Sequence, residues 1–152
     1  MSEIHKWVKK NYEKMGYDAI YDNENKAIII EHVPKGSEKS TMQITNVIDN
    51  KVVFTTGMNV IVNDVELNNM LESMADVNGK MGSGCFETDP EGSGEKYVCY
   101  RSSICMNEND VISFRTFKRH VKMGFDAVEK HINDLIPEPK EQKTESKDKM
   151  YG

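Results

Sequence analysis

The chain has 152 residues, 38% hydrophobic and 30% charged, a length that suits one domain whose single core needs no disulfide or metal staple. Its 25 acidic and 20 basic residues give a formal charge of −5, without the basic excess of a general phosphate-backbone binder, and no window reads as a basic stripe. No apolar run approaches the ~20 residues of a membrane span, and the polar opening Met1-Ser2-Glu3-Ile4-His5-Lys6 has no signal-peptide core behind it. A cytoplasmic chain that binds neither nucleic acid nor membrane is expected.

The first element reads as a helix, because Ile4, Trp7, Val8, Tyr12 and Met15 recur at spacings of three and four. Ser2 is placed to cap its start and Gly16 to close its end in a left-handed conformation. That apolar face is core and carries no site.

From Tyr17 to Val62 the period changes. Asp22-Asn23-Glu24-Asn25 is a turn cluster, and Ala27-Ile28-Ile29-Ile30 is a β-branched run that suits a buried strand. Pro34-Lys35-Gly36-Ser37 ends it, and a polar loop leads to Thr41. Met42, Ile44 and Ile48 then alternate with polar Gln43 and Thr45. Asp49-Asn50 signals a tight turn before Lys51-Val52-Val53-Phe54-Thr55, and these segments together predict an antiparallel meander with one half-polar face. Gly57 marks a break before Val60-Ile61-Val62, a short strand or a lead-in to the next helix.

The second helix has a strong start: Asn63 caps, Glu66 completes a capping box, and Val62 and Leu67 stand at staple positions. Its stripe is Leu67, Met70, Leu71 and Met74, and it runs to about Asn78 before Gly79 and Gly82-Ser83-Gly84. Cys85-Phe86-Glu87-Thr88-Asp89 reads as a short strand, Pro90-Glu91-Gly92-Ser93-Gly94 as a loop, and 96–106 as a second strand with Tyr100, Ile104 and Met106 on one face. The last helix starts near Ser113. Phe114, Phe117, Val121, Phe125, Val128, Ile132 and Leu135 keep one stripe in register past Gly124, where a tight packing contact or a small bend is expected. Pro137 stops it, and 137–152 reads as a disordered polar tail, so residues 1–136 form the domain. The order α-β-β-β-(β)-α-β-β-α segregates helices from strands and argues for α+β over a parallel sheet.

No active site is legible. Gly79-Lys80-Met81-Gly82-Ser83-Gly84 follows a helix and precedes a strand, the reverse of a phosphate loop, and reads as a flexible connection. His5, His32, His120 and His131 lack the spacing of a helical metal pair and default to solvated or helix-end positions. Glu72 and Asp76 read as a solvated face, and no calcium loop or nucleophile elbow is present. Cys85, Cys99 and Cys105 are an odd set without CxxC spacing, reading as reduced thiols in or beside the sheet; Arg101, between Cys99 and Cys105, is the one local hint of a thiolate-favouring site. Neither cofactor nor metal is expected. Two features lean towards binding: ten methionines, including Met70 and Met74 one turn apart, and a meander that leaves a face or an edge available.

The C-terminal half resembles the YbjN-type family. The resemblance is carried by Asn68-Asn69-Met70-Leu71 through Asn78, then Gly84-Cys85-Phe86-Glu87-Thr88-Asp89, then Tyr97-Val98-Cys99-Tyr100-Arg101-Ser102-Ser103-Ile104, closed by a long amphipathic helix, and covers residues 63–136. This chain departs from the pattern in its polar helix-to-strand loop and its cysteine-rich hairpin. The resemblance implies a type III secretion chaperone-like fold, one antiparallel sheet flanked by helices. It also implies a non-enzymatic, regulatory protein-binding module, with homodimers usual among chaperones of this fold. Fold alone does not carry function. Leu67, Met70, Leu71 and Met74 are the candidate dimer or partner contact, with core packing the competing use of the same residues. An immunity or antitoxin-like binder is the second class, and an enzyme with a cysteine-based site the third.

Overall fold

The computed structural model describes residues 1–33, 40–62, 64–81, 84–90, 96–106 and 113–135, and within these all side chains except those of 58–62, 64–69, 88–90, 96–97 and 132–134. The elements are α1 (Glu3–Lys14), β1 (Ile20–Asp22), β2 (Ala27–His32), β3 (Thr41–Ile48), β4 (Lys51–Val62), α2 (Asp64–Gly79), β5 (Cys85–Pro90), β6 (Lys96–Cys105) and α3 (Phe114–Leu135). The strands form one antiparallel sheet in the order β1-β2-β3-β4-β6-β5, so the α+β class and the single sheet are as expected. The loops at 34–37 and 91–94, the Asn63 cap, the Leu67 staple and the tail 137–152 lie outside the described residues or side chains.

Local chemistry sets the element ends. Ser2 Oγ accepts from the His5 backbone N–H, while Gly16, at φ +91°, closes α1 with Gly16 N–H donating to Glu13 O and Tyr17 N–H to Tyr12 O, a Schellman pattern. Asp22 Oδ1 accepts from the Glu24 and Asn25 amides, which turns β1 into β2; the hydrogen bond from the Asn25 side chain, then these backbone bonds, hold its carboxyl below the ordinary range. Asp49, at φ +55°, makes the two-residue turn in which Ile48 pairs with Lys51. Ser113 caps α3 through the Thr116 amide.

Two strands differ from expectation. β1 is an extra, three-residue edge strand, too short to show a period. β4 continues through Gly57, because β3 and β6 pair with it on both sides and the irregularity is absorbed as a shift of register between Gly57 and Ile61 against β6.

All three helices pack on one face of the sheet, over two apolar clusters. Val8 and Tyr12 of α1 meet Ile28, Ile30, Val52, Phe54, Phe117 and Val121 in the first. The second joins Met70, Met74 and Val77 of α2 to Phe86, Val98, Tyr100, Val128 and Leu135. Each large apolar side chain so enclosed contributes about 1.5–3 kcal/mol.

The covered face also holds a polar hub. Gln43, Thr45 and Thr56 are fully buried, whereas Met42, their apolar neighbour on β3, is 43% exposed on the opposite face. Tyr12 Oη donates to Gln43 Oε1 at 2.7 Å and lies 2.5 Å from Thr45 Oγ1, and Gln43 Nε2 donates to Thr56 Oγ1 at 2.9 Å and to Val121 O at 3.2 Å. Burial pushes the Tyr12 phenol well above its ordinary range, so it stays a donor. The hub ties α1, β3, β4 and α3 together with every group paired, the condition under which buried polar groups are tolerated. Gly124 sits directly above it, giving the tight contact expected there: a Cβ would fall inside the radius of Thr56 Oγ1 and 2.8 Å from Gln43 Nε2.

Candidate functional site

The residues that carry the family resemblance form a joint. Asn78, near the end of α2, accepts from the Phe86 amide through Oδ1 at 2.7 Å and donates to Phe86 O through Nδ2 at 3.0 Å. Its amide thus behaves as a one-residue neighbour for β5, the outer strand of the sheet. Gly84, at φ +71°, lets the chain enter β5 beneath the Tyr100 ring, whose hydroxyl occupies the space a Cβ would need. Arg101 Nη1 pairs with Glu87 Oε1 at 2.7 Å across the β5–β6 register. These contacts position a strand and a helix end and present no reactive group.

The sequence-predicted contact residues separate. Met70 and Met74 are buried in the second core cluster. Leu71 is 45% exposed, and the Leu67 side chain is outside the described set. At the sheet edges, β1 covers β2 over Ala27 to Ile29 only, and Asn78 occupies the outer side of β5 at Phe86.

Opposite the helices, the sheet face is open. Across it Ile20 pairs with Ile29, Ile29 with Ile44, and Ile44 with Thr55, placing three isoleucines side by side on β1, β2 and β3. Ile20 is 62% exposed, Ile29 and Ile44 are half-buried, and exposed Met42 and Ile48 lie on the same face. The β5–β6 half carries Cys85, Cys99 and Cys105 and the Arg101–Glu87 pair.

On the helix side, α2 and α3 line an open cleft of about 1220 Å³. Its walls carry Lys80 from the end of α2 and Arg115, Lys118, Arg119, Lys122 and Lys130 from α3, against two carboxylates, Asp76 and Asp126. Lys80 is paired with Asp76 at 3.3 Å. No linear window of the sequence is a basic stripe; these cations fall at i, i+3, i+4, i+7 from Arg115 to Lys122, a spacing that only a helical projection collects on one face.

The histidines are packed rather than solvated. His5 lies 2.6 Å from Ser2 Oγ through Nδ1 and 3.1 Å from Lys26 O through Nε2. His32 packs on Phe125 and Tyr17, His120 stacks on Phe54, and His131 meets Phe86 edge-on. Imidazole offers an apolar ring face as well as polar nitrogens, which suits it to these half-buried sites. Burial, aided by the Arg119 charge, lowers the His120 pKa. Among the described residues no three His, Cys, Asp or Glu side chains converge as a metal set, and no helix is long and apolar enough to cross a membrane.

None of the three cysteines is in a disulfide. Cys85 is exposed, and burial together with Glu87 pushes its thiol up, the reverse of a nucleophile's environment. Cys99 is 3% exposed and Cys105 exposed. A thiol-specific chromogenic reagent is therefore expected to react with Cys85 and Cys105 in the native protein and with Cys99 only after unfolding. Immediate reaction of all three would contradict this burial.

No family model matches the sequence, and neither does any curated protein. Among solved structures, the fold is similar to that of YbjN from E. coli, titled "a putative transcription regulator", with a TM-score of 0.65. The match has 10% sequence identity and covers 86% of this chain and 87% of that one, a likeness of fold.

Proposed function

We propose that the chain is a non-enzymatic, cytoplasmic protein-binding module of the YbjN type, regulatory in role, which forms a homodimer through the open face of its sheet. The observation that carries this reading is the isoleucine row Ile20, Ile29 and Ile44 beside Met42 and Ile48, on the face opposite the helices. An antiparallel sheet with one solvated face normally keeps that face polar, and contiguous exposed apolar residues mark interaction surfaces. The description of the YbjN structure as a regulator supports the regulatory part, and the Asn78, Gly84, Phe86, Tyr100 and Arg101 joint supports the family. The raised Cys85 thiol weighs against the cysteine-based enzyme.

Light scattering at low micromolar concentration tests it. The expected mass is twice 17.4 kDa, falling to the monomer in Ile20→Asp/Met42→Asp, whose side chains are exposed enough to leave folding intact. A wild-type monomer at every concentration overturns dimerisation. A dimer that the double variant leaves whole moves the interface off this face.

A further inference from the structure

The α2–α3 cleft gathers cations on a chain whose formal charge is −5. Arg115, Lys118, Arg119 and Lys122 share one face of α3, where like charges at these spacings repel. Among the described residues none of the four is in an ion pair. With Lys130 the row extends about 22 Å along the helix at 1.5 Å per residue. Between the cations lie one exposed carboxylate, Asp126, midway from Lys122 to Lys130, and an apolar floor in which Val77 and Ala127 are buried and Met81 and Met123 half-buried.

Three properties select the occupant. The row is too long for one phosphate or carboxylate and matches about four helical turns. The lining offers adaptable thioethers for apolar side chains. The lining offers nucleobases a poor stacking platform: Tyr100 is buried, and half-buried His131 is engaged edge-on with Phe86. We propose that this cleft binds an acidic amphipathic helix of a partner protein, with its carboxylates on the α3 cations and its apolar side chains against Met81 and Met123. Such a helix-in-groove contact uses the side of the molecule opposite the isoleucine row, goes beyond the dimer reading and does not depend on it.

The test titrates the full chain against a fluorescent peptide of about fourteen residues, long enough to follow the row, with Glu and Leu on opposite helical faces. Saturable binding is expected, weakening steeply with salt and at least tenfold in Lys118→Glu/Lys122→Glu, whose exposed side chains leave circular dichroism and unfolding midpoint unchanged. Replacing the peptide leucines by serine is expected to abolish binding. No saturable binding, equal binding of the serine peptide, indifference to the charge reversal, or tighter binding of a single-stranded oligonucleotide at the same sites would each overturn the proposal. The Ile20→Asp/Met42→Asp variant is expected to bind the peptide as wild type does, so failure of the dimer and failure of the cleft are separately readable.

Discussion

Gly124→Ala is expected to destabilise the protein by about 1–3 kcal/mol, although the same exchange in an exposed helix interior stabilises by roughly 1 kcal/mol. The sign reverses because α3 crosses β3 and β4 at closest approach there. A methyl group would enter the space of Thr56 Oγ1 and crowd Gln43 Nε2; Thr56 cannot move without losing its bond from Gln43, nor Gln43 without losing its bonds with Tyr12 and Val121. Accommodation therefore means lifting α3, which also loosens Phe117 and Val121 from the first cluster. Thr56→Ala removes the obstructing hydroxyl while Gln43 Nε2 keeps Val121 O as a partner, so the double variant should cost less than the sum of the singles by about 0.5–3 kcal/mol. Urea unfolding of the four proteins reads this directly as shifts in midpoint at constant slope. A Gly124→Ala midpoint at or above wild type would mean that α3 has slack over the hub.

The hub also shows where the sequence stops being legible. Met42, Ile44 and Ile48 alternate with Gln43 and Thr45, and a period of two by itself sends the polar pair to water. The fold does the opposite, because Tyr12 and the Val121 carbonyl, 31 and 78 residues from Gln43, supply its hydrogen bonds. Long-range satisfaction of this kind leaves no local trace. By contrast, α1, the turns at Asp22 and Asp49, and the Ser113 cap depend on side chains within a few residues, and all are readable. The cations of α3 were readable too, but only once the apolar stripe from Phe114 to Leu135 had fixed the helical phase on which to project them. Lys80 joins them through the packing of α2 on α3, which no spacing announces.

Asn78→Ala is expected to cost about 2 kcal/mol and to do so at one place. Phe86 turns its amide and carbonyl away from β6 towards the Asn78 side chain, and truncation strands a donor and an acceptor together at a half-buried strand edge. A neutral hydrogen bond contributes about 1 kcal/mol net, and an unsatisfied buried group costs about 1–3; partial access of water here keeps the pair near the lower end. Asn78→Asp tests the donor separately, since a carboxylate keeps the bond from the Phe86 amide but faces the Phe86 carbonyl with a second acceptor. Native-state hydrogen exchange supplies the local readout. The Phe86 amide should lose protection in Asn78→Ala far beyond the global change, and regain part of it in Asn78→Asp. Equal loss across β5 and β6 would instead mean that Asn78 acts through general stability. A selectively bared Phe86 would also create an edge for strand addition, so the alanine variant should associate at concentrations where wild type keeps its native assembly. That would make Asn78 a guard on the sheet edge at Phe86.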